Sequence, residues 1–328
     1  MTSDEFSGVA SELFGSGPRP KPLHLIKGVE LAKAGLEVDQ AAKAVGTSFR
    51  TLERLLAASD PVQQILGVDP TVAANEKHIG KIRLILGQLV LGRCAEYAFE
   101  DIYKSEMHTE ELELRDLREN RSDTDYRLFN GHGRPVYRIN IKFHGSRFRR
   151  AAELVHLEPN DCFALATYKI HSSLQKQEQE GLPYFFAIVG VSDLSGENVG
   201  SRVPARFVEA ASLFHLSPKA QGKRDFEDAV VNHLTSTHHD AATSTLEKIK
   251  KADWYMMSAR RADKLLRQFL FERVYALRIR GFAQQFRGAE LDMHFSLSND
   301  LIPLREFLRT LKEGGQTKIT TLMERGDL

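Results

Sequence analysis

The sequence predicts a mixed α/β (α+β) protein in which helices flank a central mixed sheet. Two segments of alternating polarity, 126–129 and 136–144, are separated by Asn-Gly, a dipeptide typical of β-hairpin turns. A long helical pattern over 76–104 precedes them, and further helix and strand patterns follow as far as residue 191. Helices and strands that alternate in this way are typical of a sheet covered by helices.

The remaining elements are predicted from local patterns. We expect helices at 148–156, 172–180 and 302–312, one or two long helices over 245–280, and strands at 162–168, 184–191 and 290–297. Breaks rich in Ser, Gly and Pro divide the chain. The divisions are a flexible leader (1–22), a short helical domain (23–60), an α/β domain (75–200) and a mostly helical C-terminal region (201–328).

Composition excludes several classes of protein. The chain has 328 residues, a formal net charge of +1 and only two cysteines, too few for a disulfide framework or a thiolate zinc cluster. Neither a signal peptide nor a membrane-spanning apolar run is evident, so we expect a cytoplasmic protein without a membrane partner. No glycine-rich phosphate loop is present, so we predict no ATP motor in this chain.

Residues 28–58 contain two short helical patterns joined at Gly46, a residue that accommodates a turn. The stretch AAKAVGTSFRTLERLL resembles the helix-turn-helix of bacterial regulators. That resemblance makes the second helix a DNA-recognition helix, with Ser48, Arg50 and Arg54 as contacts to phosphate or base edges. A helical hairpin that only packs against a neighbour remains the alternative.

The long helical pattern places a carboxylate on an otherwise apolar face. Residues at spacings of three and four share one side of a helix. On this side lie Ile82, Ile85, Leu89, Gly92, Glu96, Phe99 and Tyr103. A carboxylate facing a core needs a compensating cation or hydrogen-bond donors. Glu96 is therefore either a functional residue or one that pairs with an arginine or reaches the surface.

The second strand of the predicted hairpin alternates strictly. Its apolar side consists of Tyr137, Ile139, Ile141 and Phe143, and its polar side of Arg138, Asn140, Lys142 and His144. A half-exposed antiparallel strand would give the same pattern. Asp123 and Asp125 precede the first strand of the hairpin.

Together these pieces resemble the PD-(D/E)XK nuclease superfamily, which has a restriction-endonuclease-like fold, over roughly residues 78–192. The resemblance rests on the residues 91–96 (LGRCAE), on Asp125-Tyr126 at the start of a strand, and on Asn140-Ile141-Lys142 in the next strand. The helix at 148–156 and the strand at 162–168 then follow in the family's order.

The resemblance implies a metal-dependent phosphodiesterase. Mg²⁺, or Mn²⁺ in its place, prefers oxygen ligands, and Asp125 would be the main ligand, supported by Glu96 and Asn140. Lys142 would orient the attacking water or stabilise developing negative charge. Asp123 stays open as a substitute for Asp125. The family usually has an acid where this chain has Asn140; this departure leaves a weak or inactive nuclease as an alternative.

Local charge favours a polyanionic partner. Residues 121–150 contain eight basic and two acidic residues, a balance of +6 in a chain that totals +1. Neutralising phosphates releases counterions and favours binding. We expect nucleic-acid contacts from Arg138, Arg147, Arg149 and, after the following strand, Lys169. The alternative is a solvated basic surface.

The predicted function is a magnesium-dependent DNA endonuclease, a hydrolase of phosphodiester bonds. From the superfamily we expect a role in bacterial restriction or phage (antiviral) defence, acting as a homodimer or within a larger defence complex. Two alternatives on a degenerate nuclease fold remain: a non-catalytic DNA-binding regulator and an interaction subunit of a defence complex.

Overall fold

A computed structural model describes most of the chain. The described residues are 8–9, 11–13, 21–59, 61–66, 76–107, 112–118, 120, 123–144, 147–190, 203–216, 223–236, 240–277, 290–325 and 328. The chain divides into two compact units, one made of 1–93 and 198–243, the other of 94–197 and 244–328. Most of the predicted leader, 1–22, lies outside the described residues. No helix among the described residues is long and apolar enough to span a membrane.

The first unit is helical where it is described. Its helices are α1 (Lys21–Lys33), α2 (Val38–Ala44), α3 (Phe49–Leu56), α4 (Pro61–Leu66), the first half of α5 (Glu76–Glu106), α8 (Ala205–Leu216) and α9 (Lys223–Ser236). Helix α10 (Asp240–Lys250) begins in the first unit and continues into the second. Short α4 lies between the predicted helical domain (23–60) and the predicted α/β domain (75–200).

Helices α1 to α3 pack around a small apolar core. Its buried members are Val29, Ala41, Ala42, Leu52 and Leu55. Gly46 has a φ of +67°, a left-handed conformation that glycine adopts without steric cost and that lets the chain turn between α2 and α3. The Ser48 hydroxyl caps α3 by accepting the Thr51 N–H at 3.2 Å. The local chemistry of the sequence thus sets both the turn and the start of α3.

The buried side of α5 differs from the predicted one. Leu89 is 39% exposed, whereas Leu86 and Val90 are buried. Farther along α5 the buried residues are Cys94, Ala95, Ala98, Phe99 and Tyr103. Over eight turns several overlapping apolar stripes fit the sequence, and tertiary packing selects among them. Glu96 lies at the margin of the selected stripe and is partly exposed.

The second unit contains two sheets. Its strands are β1 (Leu112–Asp116), β2 (Tyr126–Asn130), β3 (Pro135–Lys142), β4 (Cys162–Ala166), β5 (Tyr184–Val189), β6 (Trp254–Ser258), β7 (Val274–Leu277), β8 (Glu290–Ser296) and β9 (Ile302–Pro303). One mixed sheet has the order β1-β2-β3-β5-β6-β9, and a second has the order β4-β8-β7. Strand β3 pairs antiparallel with β2 and parallel with β5, which makes it central.

The second unit also contains the helices α6 (Arg149–Leu154), α7 (Thr167–Glu180), α11 (Ala259–Gln268), α12 (Leu297–Asp300) and α13 (Leu304–Arg325), which is kinked at Gly315. Helices α7, α11 and α13 pack against the six-stranded sheet, whereas α6 packs against Cys162 of β4 in the second sheet. Phe186 and Ile188 of β5 pack in one buried cluster with Ile170 of α7 and Leu265 of α11. On the other face, Phe185 contacts the ring of Phe307 from α13 at 5.2 Å.

Several sequence expectations were wrong about this unit. The predicted helical region 245–280 contains β6 and β7, and 162–166 joins the second sheet through β8 instead of the central one. Strand β1 was not predicted at all. The region 201–328 is mostly helical where it is described, as expected, and it also supplies four strands. Strand β6 was missed because its sequence, WYMMS, is buried and lacks the period-two alternation by which a half-exposed strand is recognised.

Candidate functional site

The candidate site lies at the C-terminal end of β3. Asn140 and Lys142 pair in register with Phe186 and Ile188, so their side chains point to the face that is covered by α7 and α11. The alternative of a half-exposed strand was therefore wrong, because on the polar side of β3 Arg138 is buried and Asn140 and Lys142 are partly buried. The Lys142 ammonium donates a hydrogen bond to the Asn140 amide oxygen.

Asp125, just before β2, reaches the same place. Its Oδ2 accepts the backbone N–H of Ile141 at 2.6 Å, between Asn140 and Lys142. Its own backbone carbonyl accepts the N–H of Leu117 at 3.0 Å, which fixes this residue against the end of β1. The hairpin register thus places the Asp125 carboxylate beside the two polar residues of β3.

The Lys142 ammonium is the electrostatic centre of the site. Loss of hydration on burial lowers its pKa from the ordinary value of 10.5 to about 8, and Lys169 adds to that shift. The carboxylates of Asp125 and Glu96 oppose it. The Lys142 ammonium is thus subject to charges of both signs.

Glu96 is held by an arginine that the sequence did not reveal. Its Oε2 lies 3.1 Å from Nη1 of Arg118, and the same guanidinium donates to Asp116 Oδ1 at 2.8 Å. Arg118 also lies over the rings of Tyr97 and Tyr126, at 4.7 and 5.2 Å from their centroids. The alternative in which Glu96 pairs with an arginine is therefore confirmed. The Glu96 carboxylate still contributes negative charge to the site, but it is engaged by the Arg118 guanidinium.

Asp123 belongs to a separate ion-pair cluster. Its carboxylate lies 3.0 Å from Arg138 and 2.7 Å from Arg127, and Glu180 Oε2 accepts from Arg138 Nε at 2.9 Å. Although partial burial acts in the opposite direction, the Thr124 N–H and the two arginines keep the pKa of Asp123 below its ordinary value. The structure therefore brings Asp125, and not Asp123, to Lys142.

The same cluster corrects the expectation for Arg138. Its side chain is only 2% exposed and is enclosed by carboxylates, so it is not available for a nucleic-acid phosphate. The balance of +6 counted only residues 121–150, so it left out Glu180, which comes from a distant segment and pairs with Arg138. The balance therefore overstated the free positive charge. Of the other predicted contacts, Arg149 and Lys169 are exposed and Arg147 is partly exposed.

His144 follows Lys142 on the polar side of the predicted strand but has a packing role. Its Nε2 lies 3.1 Å from the carbonyl oxygen of Ala164, and its ring meets those of Phe148 and Phe163 edge-on. Burial lowers its pKa to about 4, which keeps the imidazole neutral near pH 7. The residue links the end of β3 to β4.

The helical pair α2–α3 of the first unit presents a polar outer side. Arg50 and Arg54 of α3 are exposed, as is Glu53 between them, and Phe49 is also exposed at the start of the helix. Ser48 is exposed, but its hydroxyl is engaged in capping α3. The predicted contacts Arg50 and Arg54 are thus accessible, whereas Ser48 has a structural task.

Comparison with protein-family models, curated proteins and solved structures found no match to this chain.

The donor atoms at the site are of the kind that a hard divalent cation prefers. Asp125 supplies a carboxylate, Asn140 an amide oxygen 15 positions later in the chain, and Glu96 a second carboxylate that now pairs with Arg118. Within the described part of the chain, no three His, Cys, Asp or Glu side chains are grouped to hold a metal ion. Asp125 and Asn140 fit Mg²⁺ or Mn²⁺ as partial ligands, with water and substrate oxygens for the remainder.

Proposed function

We propose that the chain is a metal-dependent phosphodiesterase that cleaves nucleic acid at the end of β3. One observation carries the proposal: the Asn140 amide oxygen accepts the Lys142 ammonium, and the Asp125 carboxylate, from a separate segment, accepts the N–H of Ile141 between those two residues. Perturbed lysines beside carboxylates are a frequent feature of active sites. The mixed sheet flanked by helices is compatible with a restriction-endonuclease-like domain, although β4 departs from the expected order.

Asp125 and Asn140 would hold the divalent ion, which when bound polarises the scissile phosphate and makes a water more acidic. The chain's own residues hold the charged side chains in position and balance their charges. The Ile141 N–H fixes the Asp125 carboxylate, and the Asn140 amide oxygen fixes the Lys142 ammonium. Lys142 can then stabilise the negative charge that develops on a phosphate oxygen.

The lowered pKa of Lys142 suits proton transfer as well. With a pKa of about 8, the nitrogen Nζ is mostly protonated at pH 7 but releases its proton far more readily than an exposed lysine. Lys142 can therefore donate a proton toward a leaving oxygen near neutral pH. Exposed Lys169, at the start of α7, adds positive charge for the phosphate backbone.

The proposal is tested with labelled single-stranded and duplex DNA in the presence of Mg²⁺ or Mn²⁺. We expect cleavage that EDTA abolishes and that falls by roughly 100-fold or more in Asp125→Asn and in Lys142→Met, as for loss of a transition-state contact. Glu178→Gln and Lys264→Met are the matched controls, because both residues are exposed and lie outside the site.

Two results would contradict the proposal. One is cleavage that persists in EDTA, and the other is cleavage that Asp125→Asn leaves at the level of the Glu178→Gln control. Binding of DNA without cleavage under either metal would favour the second candidate function.

The second candidate is a non-catalytic DNA-binding protein that uses α2 and α3. It is favoured by the glycine turn at Gly46, by the cap at Ser48 and by the exposure of Arg50 and Arg54 on α3. Arg50→Ala together with Arg54→Ala would then weaken duplex binding and reduce its salt dependence. Unchanged duplex affinity and salt dependence in the double variant would contradict this candidate.

A further inference from the structure

Two aromatic side chains on α7 are exposed beside the candidate site. Tyr168 is 48% exposed and the His171 side chain is 59% exposed. Residues three apart are neighbours on a helix surface, separated by roughly 4.5 Å along the axis. That separation is comparable to the rise of about 3.4 Å between successive bases of one DNA strand. The inward side of the same helix is occupied by Ile170 and Ser173.

A positive charge lies beside the Tyr168 ring, and an ion pair lies beside the His171 ring. The Lys169 ammonium lies 5.9 Å from the centroid of the Tyr168 ring, and the same lysine acts electrostatically on Lys142. On the other side, the Nδ1 of His171 lies 3.9 Å from Asp263, whose second oxygen accepts from the exposed Arg267 at 2.7 Å. Exposed rings that alternate with cations are the arrangement by which proteins bind unpaired bases and their phosphates.

We propose that Tyr168 and His171 form a base-stacking platform, so that the substrate of the site is single-stranded nucleic acid. Bases stacked on these rings bring the adjoining phosphate to Lys169. A duplex hides its base faces within its own stack, so it cannot use the platform without local unpairing. Cleavage of the single strand rests on the proposed function, whereas binding of the single strand does not.

Fluorescence anisotropy in EDTA measures binding without cleavage. The probe is a fluorescein-labelled DNA oligonucleotide, used alone and annealed to its complement, with an RNA strand of the same sequence as a further arm. We expect tighter binding of the single strand. Tyr168→Ala should weaken that binding by roughly 5- to 150-fold, the range for loss of one stacked base. Tyr168→Phe, which keeps the ring, should retain it.

The control is Phe271→Ala, which removes a ring that is 95% exposed but lies outside α7. It should leave the affinity unchanged, because exposure alone does not make a stacking site. Alanine is the best helix former, so Tyr168→Ala preserves α7. Circular dichroism checks this directly.

The two proposals fail in different ways. Metal-dependent cleavage that prefers duplex and is insensitive to Tyr168→Ala would overturn the platform while the nuclease stands. Tyr168-dependent binding of the single-stranded DNA or RNA, without cleavage under any metal, would support the platform and overturn the nuclease. Equal loss in Tyr168→Ala and Tyr168→Phe would also overturn stacking, because the ring remains in the second variant.

Discussion

Replacing Lys142 with methionine should stabilise the fold while it abolishes cleavage. Methionine has a similar length and carries no charge. Each pH unit of pKa change corresponds to about 1.36 kcal/mol. A pKa lowered from 10.5 to about 8 therefore means that charging Lys142 costs the folded protein about 3 kcal/mol, as an upper bound. Lys142→Met removes that cost and should unfold roughly 5–10 °C higher near pH 7.

The pH dependence of this gain has a definite sign. Below about pH 8 the lysine is protonated in both the folded and the unfolded chain, so the full cost is present. Between about pH 8 and 10.5 only the unfolded chain keeps the proton, and the wild-type protein gains stability as the pH rises. The advantage of Lys142→Met should therefore be largest below pH 8 and vanish near pH 10.5.

Urea unfolding from pH 6 to 10.5, followed by circular dichroism, measures the effect. Lys264→Met, at an exposed position of α11, should change neither the free energy of unfolding nor cleavage. A Lys142→Met protein that is less stable than wild type at pH 7, or equally more stable at every pH, would refute the reasoning. Retained cleavage in this variant would refute the role of the ammonium group.

Four further predictions concern stability and are measured by urea unfolding. Arg138→Met should destabilise the fold by less than the roughly 3–5 kcal/mol of an uncompensated buried charge, because Arg127 still pairs with Asp123, yet DNA affinity should not change; weaker DNA binding by a folded variant would contradict the structural role. Ser48→Ala should cost about 1 kcal/mol by removing the cap of α3, and Ser48→Asp should restore it. Gly28→Ala should cost roughly 1–3 kcal/mol, since its methyl group would lie 2.9 Å from a neighbouring side chain. Gly80→Ala, in open space on α5, should instead gain up to about 1 kcal/mol.

Arg138 and Lys142 show where sequence reasoning about the site succeeds and where it fails. Both lie on the polar side of the alternating β3 pattern, and the pattern alone gives them equal standing. In the structure the charge of Arg138 is neutralised by Asp123 and Glu180. Lys142 instead donates to the neutral Asn140 amide and keeps its positive charge at the site. Glu180 is 42 positions away from Arg138 in the chain, so no local pattern could assign it as a partner.

Arg118 was missed for a related reason. It lies in a charged stretch that shows no periodicity, and its importance comes only from contact with Glu96 of α5 and the rings of Tyr97 and Tyr126. The sequence did contain one signal: a carboxylate at the margin of an apolar helix face requires a cation nearby. That signal does not identify which basic residue supplies the cation.

The sequence by itself determined the features that depend on neighbouring residues. These are the turn at Gly46, the cap at Ser48, the β2–β3 hairpin and the alternation that puts Asn140 and Lys142 on one side of β3, because backbone geometry and side-chain period act over a few positions. Only the tertiary structure decided that Asp125 reaches Lys142, that Arg138 is neutralised and that β6 completes the central sheet. Those outcomes depend on which distant segments pack together. A charge that is buried by this packing loses its hydration and must be paired with an opposite charge or a hydrogen-bond partner.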